Sequence, residues 1–395
     1  MTDTEFPLIQ FMREGFDPVS ELARIRAEHA VYPLQIPGGS TVWFVTRYED
    51  VRAVLGDHER FSNDFANVIG MGSQQEDPGG LGFRDPPEHT RLRKLLTPEF
   101  TVKRLRRLEP RIEAIVNSHL DAMEKQGPPV DFVKEFALPI PSKVVCELLG
   151  VSYEEQERFE AYAKDRFDFS GGPEASIAAI NESMEYLTDL VARERRNPGD
   201  GLLGSLLRNH GDELTDRELA SLADGILTGG HDTSTSMLAL GTLWLLRNRE
   251  HFDRIREDDA AVPPLVEELL RYLTVVQVAF PRFAREDLVL AGQEIKKGEM
   301  VLCSLVGANR DPALRREGDP DMDTVDPTRD LPSHVAFGHG IHHCVGAPLA
   351  RMELRIAFPA IARRFPTLRV DVPWEEVKFR KLAIVYGLES LPVAW

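Results

Sequence analysis

The sequence predicts a mainly α protein with a minor β part, built as one large domain over residues 1–395. Three observations predict this. Apolar residues recur at helical spacing from His89 to about Arg208, interrupted chiefly by Pro139, Pro141 and Pro173. A second, longer periodic segment spans 215–247. No Pro/Gly/Ser-rich linker divides the 395 residues. A chain of this length in one helical domain can enclose a cavity the size of a cofactor.

The elements follow in order. Residues 17–29 have helical spacing. The runs VYPLQI and TVWFVT, separated by PGGS, read as a β-hairpin. Residues 48–55 are again helical, and 62–87, rich in Gly, Asp, Asn and Pro, read as a long functional loop. The stretch 168–176 reads as a mobile connection between helices. Thr215 and Glu218 form a capping box that opens the longest helix. A further helix covers 263–272, and short β-like runs fill 288–306. The irregular stretch 309–336 leads to a glycine-rich loop and a last helix from about Ala347.

The formal net charge is −17, which opposes binding to nucleic acid or anionic membrane through the bulk surface. Residues 91–111 run against that sign, with eight Arg/Lys, among them Arg91, Lys94, Lys103, Arg104 and Arg107, against Glu99 and Glu109. This stretch is either a solvated helix face or a docking surface for an acidic partner. Cys146, Cys303 and Cys344 are odd in number and match no zinc or disulfide spacing. The acidic N-terminus has no signal-peptide core, and no stretch is apolar enough for a membrane span. The chain therefore reads as cytoplasmic, with reduced cysteines and a monomer as the default.

The chemistry concentrates in Phe337-Gly338-His339-Gly340-Ile341-His342-His343-Cys344-Val345-Gly346. Three glycines allow a tight loop and close approach of main chain to a large flat group. Cys344 precedes a helix N-terminus, whose N–H groups and dipole favour a thiolate. A zinc site would need a second ligand at suitable spacing after Cys344, and there is none. In the longest helix, Gly229 and Gly230 are adjacent and cost about 1 kcal/mol each relative to Ala. Asp232 and Thr233, both able to carry protons, follow them. On their own these residues suit either a packing site or a loosened helix.

The decapeptide matches the haem-binding signature F-G-x-G-x-H-x-C-x-G, and the chain resembles the cytochromes P-450, most of all the soluble actinomycete-type members. The likeness extends from about residue 17 to the C-terminus. It implies the P-450 fold, with haem b (iron protoporphyrin IX) between the long helix and the Cys loop. Cys344 would be the iron ligand, and Phe337, Gly340 and Gly346 would shape the loop. His89, Arg93, Arg282 and His342 would meet the haem propionates, and Gly229 and Gly230 would line the haem. Asp232 and Thr233 would manage protons for O2 activation. Glu268, Arg271 and Arg329 would form a structural network bracing the Cys loop.

The resemblance further implies a monooxygenase that hydroxylates or epoxidises a sizeable lipophilic molecule, in macrolide- or polyketide-type tailoring, with electrons from a ferredoxin and its reductase. The basic 91–111 stretch would receive the ferredoxin. The substrate would meet Phe65, Phe83, Phe167, Ile226, Val276, Val278 and Ile384, with Gln277 as a polar handle. Two other readings stay open: oxidative coupling without oxygen insertion, and a non-catalytic haem-fold partner protein. The presence of both Cys344 and Thr233 counts against the latter.

Overall fold

The computed structural model describes residues 8–35, 41–64, 80–153, 172–330 and 333–395, without the side chains of 172–177 and 179. Its helices include α1 (Ser20–Glu28), α2 (Tyr48–Gly56), α3 (Glu88–Leu96), α4 (Glu109–Gln126), α5 (Pro139–Leu149) and α6 (Gly172–Arg196). There follow α7 (Leu202–His210), α8 (Asp216–Arg247), α9 (Arg249–Glu257), α10 (Val262–Leu273) and α11 (Ala347–Arg364). The chain is mostly helical, as its periodicity predicts.

The longest element starts where the sequence places its strongest start signal. Thr215 caps α8: its side chain accepts from Glu218 N, and the Glu218 carboxylate accepts from Thr215 N. Almost the whole circumference of α8 is buried, from Leu219 to Leu246, because α5, α6, α10 and α11 all pack on it. A helix surrounded in this way places its central residues deep in the protein, at a fixed distance from α11 and the loop before it.

The β part is small. Strands β1 (Val31–Gln35), β2 (Thr41–Val45), β3 (Phe61–Ser62), β4 (Arg282–Ala284) and β5 (Met300–Cys303) form one sheet in the order β1-β2-β5-β4-β3. The hairpin expected from VYPLQI and TVWFVT is the β1–β2 pair, in register Val31↔Val45. Strand β5 lies parallel to β2 and antiparallel to β4. The β-like run through residue 306 ends early. Ser304 caps a helical turn by accepting from Gly307 N, so Leu305 and Val306 are helical. Of the connection expected at 168–176, residues 168–171 lie outside the described residues, and from Gly172 onward the chain is in α6.

One buried group is out of keeping with its surroundings. Glu353 on α11 is 3% exposed and faces Ser234 of α8. Burial pushes its carboxyl up to about 8, and the Ser234 hydroxyl only partly offsets this. The folded state therefore holds a proton that the unfolded chain releases above the ordinary glutamate range. Folding stability falls as pH rises from the unfolded value near 4.5 to about 8. Glu353→Gln, which mimics the neutral acid, should raise the thermal midpoint at pH 8 and change it little at pH 4.5. An equal effect at both pH values would rule out this assignment.

Candidate functional site

The Cys loop is held by its own main chain. Gly338 and Gly340 adopt φ of +73° and +72°, a left-handed conformation that favours glycine. Gly340 is also required for another reason. A Cβ there would lie 2.4 Å from the Leu55 carbonyl, so this glycine accommodates the end of α2. Cys344 N donates to the Phe337 carbonyl at 2.9 Å, which closes the loop. Cys344 is exposed and lines a small cavity together with Arg93, Phe100 and Arg351. Burial pushes the thiol up. The N–H groups of Gly346 and Ala347, with Arg93 and Arg351, pull it back part of the way. These are the groups that would stabilise a thiolate, and a bound cation would complete the ionisation.

Four cationic or potentially cationic side chains gather beside the loop. His89 and Arg93 project from one face of α3, Arg282 comes from β4, and His342 comes from the loop itself. The His89 and His342 rings lie 4.3 Å apart. Among the described residues, neither ring nitrogen of His89, nor Nε2 of His342, has a hydrogen-bond partner, although these atoms are buried. Burial, then the Arg93 charge, pushes His89 down to about 4. Burial, then Arg282, pushes His342 down to about 2. Arg282 is 4% exposed and donates to the Phe280 carbonyl, with no carboxylate in ion-pair range among the described residues. Orphaned polar atoms among buried cations are the signature of an anion site. Two carboxylates would satisfy them, and these residues fit the propionates of a haem.

The Glu268–Arg271 pair is buried, 5% and 1% exposed, with both Arg271 Nε and Nη2 at 2.8 Å from the carboxylate. Arg329 Nε approaches Glu268 Oε1 at 3.4 Å, and Asp326 N donates to the same oxygen at 3.0 Å. Arg271 also donates to the carbonyls of Asn309, Met322 and Thr324. The side chain of Asn309 carries the brace on, accepting from Val335 N two residues before Phe337.

On α8 the adjacent glycines do different work. A Cβ on Gly229 would meet nothing within 4 Å, whereas one on Gly230 would lie 3.1 Å from Val145 of α5. Gly229 faces open space. Gly230 packs against α5. The Thr233 hydroxyl donates to the Gly229 carbonyl at 2.7 Å. Asp232 is held by Arg380, Nη1 to Oδ1 at 2.6 Å. Arg380 escaped the sequence analysis because 148 residues separate the partners and no motif marks it.

The Cytochrome P450 family model matches residues 8–194 and 175–380. The chain belongs to the cytochrome P450 family. It is 43% identical to Cytochrome P450 165B3 of Amycolatopsis orientalis, over 98% of each chain. It is 38% identical to the mycinamicin IV hydroxylase/epoxidase of Micromonospora griseorubida, over 96% of each. Among solved structures it resembles the hybrid P450 OxyBtei(BC/FGvan), with a TM-score of 0.87 and 46% identity over 98% of this chain and 100% of the other. As a P450 the chain is an oxidoreductase that incorporates oxygen from O2, its cofactor is haem-thiolate, and it draws electrons from redox partners. No helix among the described residues is long and apolar enough to cross a membrane.

Other expectations for this P450 need revision. Phe65 and Phe167 lie outside the described residues. Ile226 is buried on α8, and Val276 and Ile384 are half-buried neighbours, joined through Gln277 N to the Ile384 carbonyl at 3.0 Å. Phe83 is exposed and packs edge-on against Phe280, 4.9 Å away. Gln277 is no polar handle. It is 1% exposed, accepts from Arg13 and donates to the carbonyls of Phe11 and Ala383. Val278 points the other way as well, into a cluster with Ile9, Leu22 and Ile25.

The basic stretch is also less free than its sequence suggests. Arg91 is bound to Glu218, and Arg104 and Arg107 both approach Glu99, at 2.9 and 3.6 Å. Lys94 and Lys103 are exposed. A groove of about 1040 Å³ between α4 and α11 gathers Arg106, Arg351, Arg355, Arg363 and Arg364, cations remote in sequence.

Removing one partner of a buried ion pair costs about 3–5 kcal/mol. Arg271→Met should therefore lower the thermal midpoint steeply and abolish haem retention. A variant that retains haem and melts like the wild type would show that the network does not brace the loop.

Proposed function

We propose that this P450 uses haem b to hydroxylate or epoxidise a sizeable lipophilic natural product, with Cys344 as the iron ligand and a ferredoxin with its reductase as electron donors. The observation that carries the reading is the set of unpartnered buried imidazoles and Arg282 beside a cysteine at a helix N-terminus. It would act as a cytoplasmic monomer of one domain. When bound, the haem supplies O2 activation, and a thiolate ligand favours O–O cleavage.

The protein's own residues do the rest. His89, Arg93, Arg282 and His342 hold the propionates, and pairing with carboxylates relieves the cost of burying those cations. Phe337 and Gly346 shape the loop around the sulfur. Gly229 leaves room on the opposite side. The Thr233 hydroxyl, its proton engaged by the Gly229 carbonyl, offers lone pairs to a water there. Once it leaves Arg380, the Asp232 carboxylate would take a proton from solvent and pass it to that water, and so return to its ionised form. Ile226, Val276 and Ile384 exclude water from the substrate side.

A second reading is oxidative coupling of aromatic rings without oxygen insertion. It is favoured by the 42% identity to OxyC, a P450 implicated in an oxidative C–C coupling reaction during vancomycin biosynthesis, with a TM-score of 0.86. Product mass separates the readings: a gain of one oxygen against a loss of two hydrogens.

The reduced protein under carbon monoxide should show the red-shifted thiolate band, and Cys344→Ala should lose it. An imidazole-like band in the wild type would mean that a histidine is the ligand. Asp232→Asn should keep the band but slow product formation by at least about 10²-fold, the usual contribution of a positioned proton-transfer group. Unchanged turnover would remove Asp232 from the proton path.

A further inference from the structure

A second carboxylate on α10 makes contacts as extensive as those of Glu268, and the haem signature does not account for it. Neighbouring residues on a helix point about 100° apart, so Glu267 faces away from the Glu268 network and toward α11. Its carboxylate takes both Arg351 Nε and Nη2, at 2.7 and 2.9 Å. Arg355 Nη2 lies 3.4 Å from one oxygen, and His334 Nε2 lies 3.4 Å from the other. Burial would push the Glu267 carboxyl up, but His334 and Arg351 hold it down at about 2.

Arg351 has a second contact. Its guanidinium carbon stands 4.6 Å from the centroid of the Phe337 ring, a cation–π geometry. The His334 ring flanks the same phenyl at 6.0 Å. The Phe337 carbonyl is the acceptor for Cys344 N. Arg351 also lines the small cavity that contains Cys344, and its charge acts on that sulfur. A continuous set of contacts thus leads from Glu267 through Arg351 and Phe337 to Cys344.

We propose that Glu267 is a positioning residue for the thiolate. By gripping Arg351 in a bidentate pair it holds the guanidinium flat on Phe337 and partly neutralises the positive charge beside Cys344. It thereby sets the reduction potential of the bound iron. The inference rests on Cys344 being the iron ligand. Arg351 and Arg355 also belong to the α4–α11 groove, so Glu267 holds two of that groove's cations.

The test is the iron(III)/iron(II) midpoint potential and the carbon monoxide spectrum of the haem-loaded protein, for wild type, Glu267→Gln, Glu267→Asp and Arg351→Lys. Glu267→Gln removes a negative charge from the surroundings of the iron. It should favour the reduced state by about three- to tenfold, a tenfold change being about 59 mV for one electron. Arg351→Lys keeps the charge but loses the planar stacked fork, and should increase the share of protein that loses the thiolate band on standing. Glu267→Asp should lie nearer the wild type, and it carries the measurement if Glu267→Gln does not fold. Asp259→Asn, which frees Arg363 in the same groove, controls for general surface charge.

Potential shifts that correspond to less than a twofold change in the reduction equilibrium for every Glu267 variant would overturn the proposal. So would an equal shift in Asp259→Asn. A wild type without the thiolate band would instead show that Cys344 is not the ligand, and the inference would fall with that assignment.

Discussion

The Glu268–Arg271 pair is the constraint on which the site depends. It joins α10, the Asn309 turn and the 322–329 meander through one buried charge pair with all its near partners hydrogen-bonded. Replacing such a pair by apolar residues can leave stability unchanged, whereas breaking it is costly. Its value here is geometric. A loop that must present a sulfur at a fixed place has few regular hydrogen bonds of its own. The pair gives the irregular stretch before it a rigid anchor, and Asn309 extends that anchor to Val335.

Charge is distributed unevenly between surface and interior. The chain is acidic as a whole, yet beside the Cys loop stand the buried His89 and Arg282 and the half-buried His342 and Arg93. Burial pushes all four toward their neutral forms. Asp85 acts on His89 and Arg282, but no carboxylate among the described residues is in ion-pair range of Arg282, and the propionates of a haem would supply the missing charge. The protein and a haem would be electrostatic complements in this sense, each lowering the cost of burying the other.

Much of this was legible in the sequence, and the legible parts share a cause. The Thr215 capping box, the β1–β2 hairpin and the Cys loop are local patterns, in which a few adjacent residues determine the geometry. Gln277 and Val278 turn away from the cavity because Arg13 and Phe11 bind the one and Ile9, Leu22 and Ile25 pack on the other, partners more than 250 residues distant that no local pattern reveals. The Arg380–Asp232 and Glu267–Arg351 pairs were invisible for a similar reason. Their partners are 148 and 84 residues apart, and charged residues are too common for such pairs to stand out. The basic 91–111 stretch misled in the opposite direction, since Glu99 and Glu218 answer three of its cations once the chain is folded.

The glycines of the site also differ in how far they can change. Gly340 is enclosed by the Leu55 carbonyl and Gly56, at a positive φ, and Gly230 by Val145. Gly229 has a normal helical conformation and empty space where a side chain would be. The first position is closed to replacement and the last is open. A methyl group at 229 would even relieve the helix of a glycine while narrowing the cavity beside Thr233. Variation that reshapes which molecules this enzyme accepts can therefore enter through one face of its central helix at little cost to folding, and the loop that holds the sulfur remains unaltered.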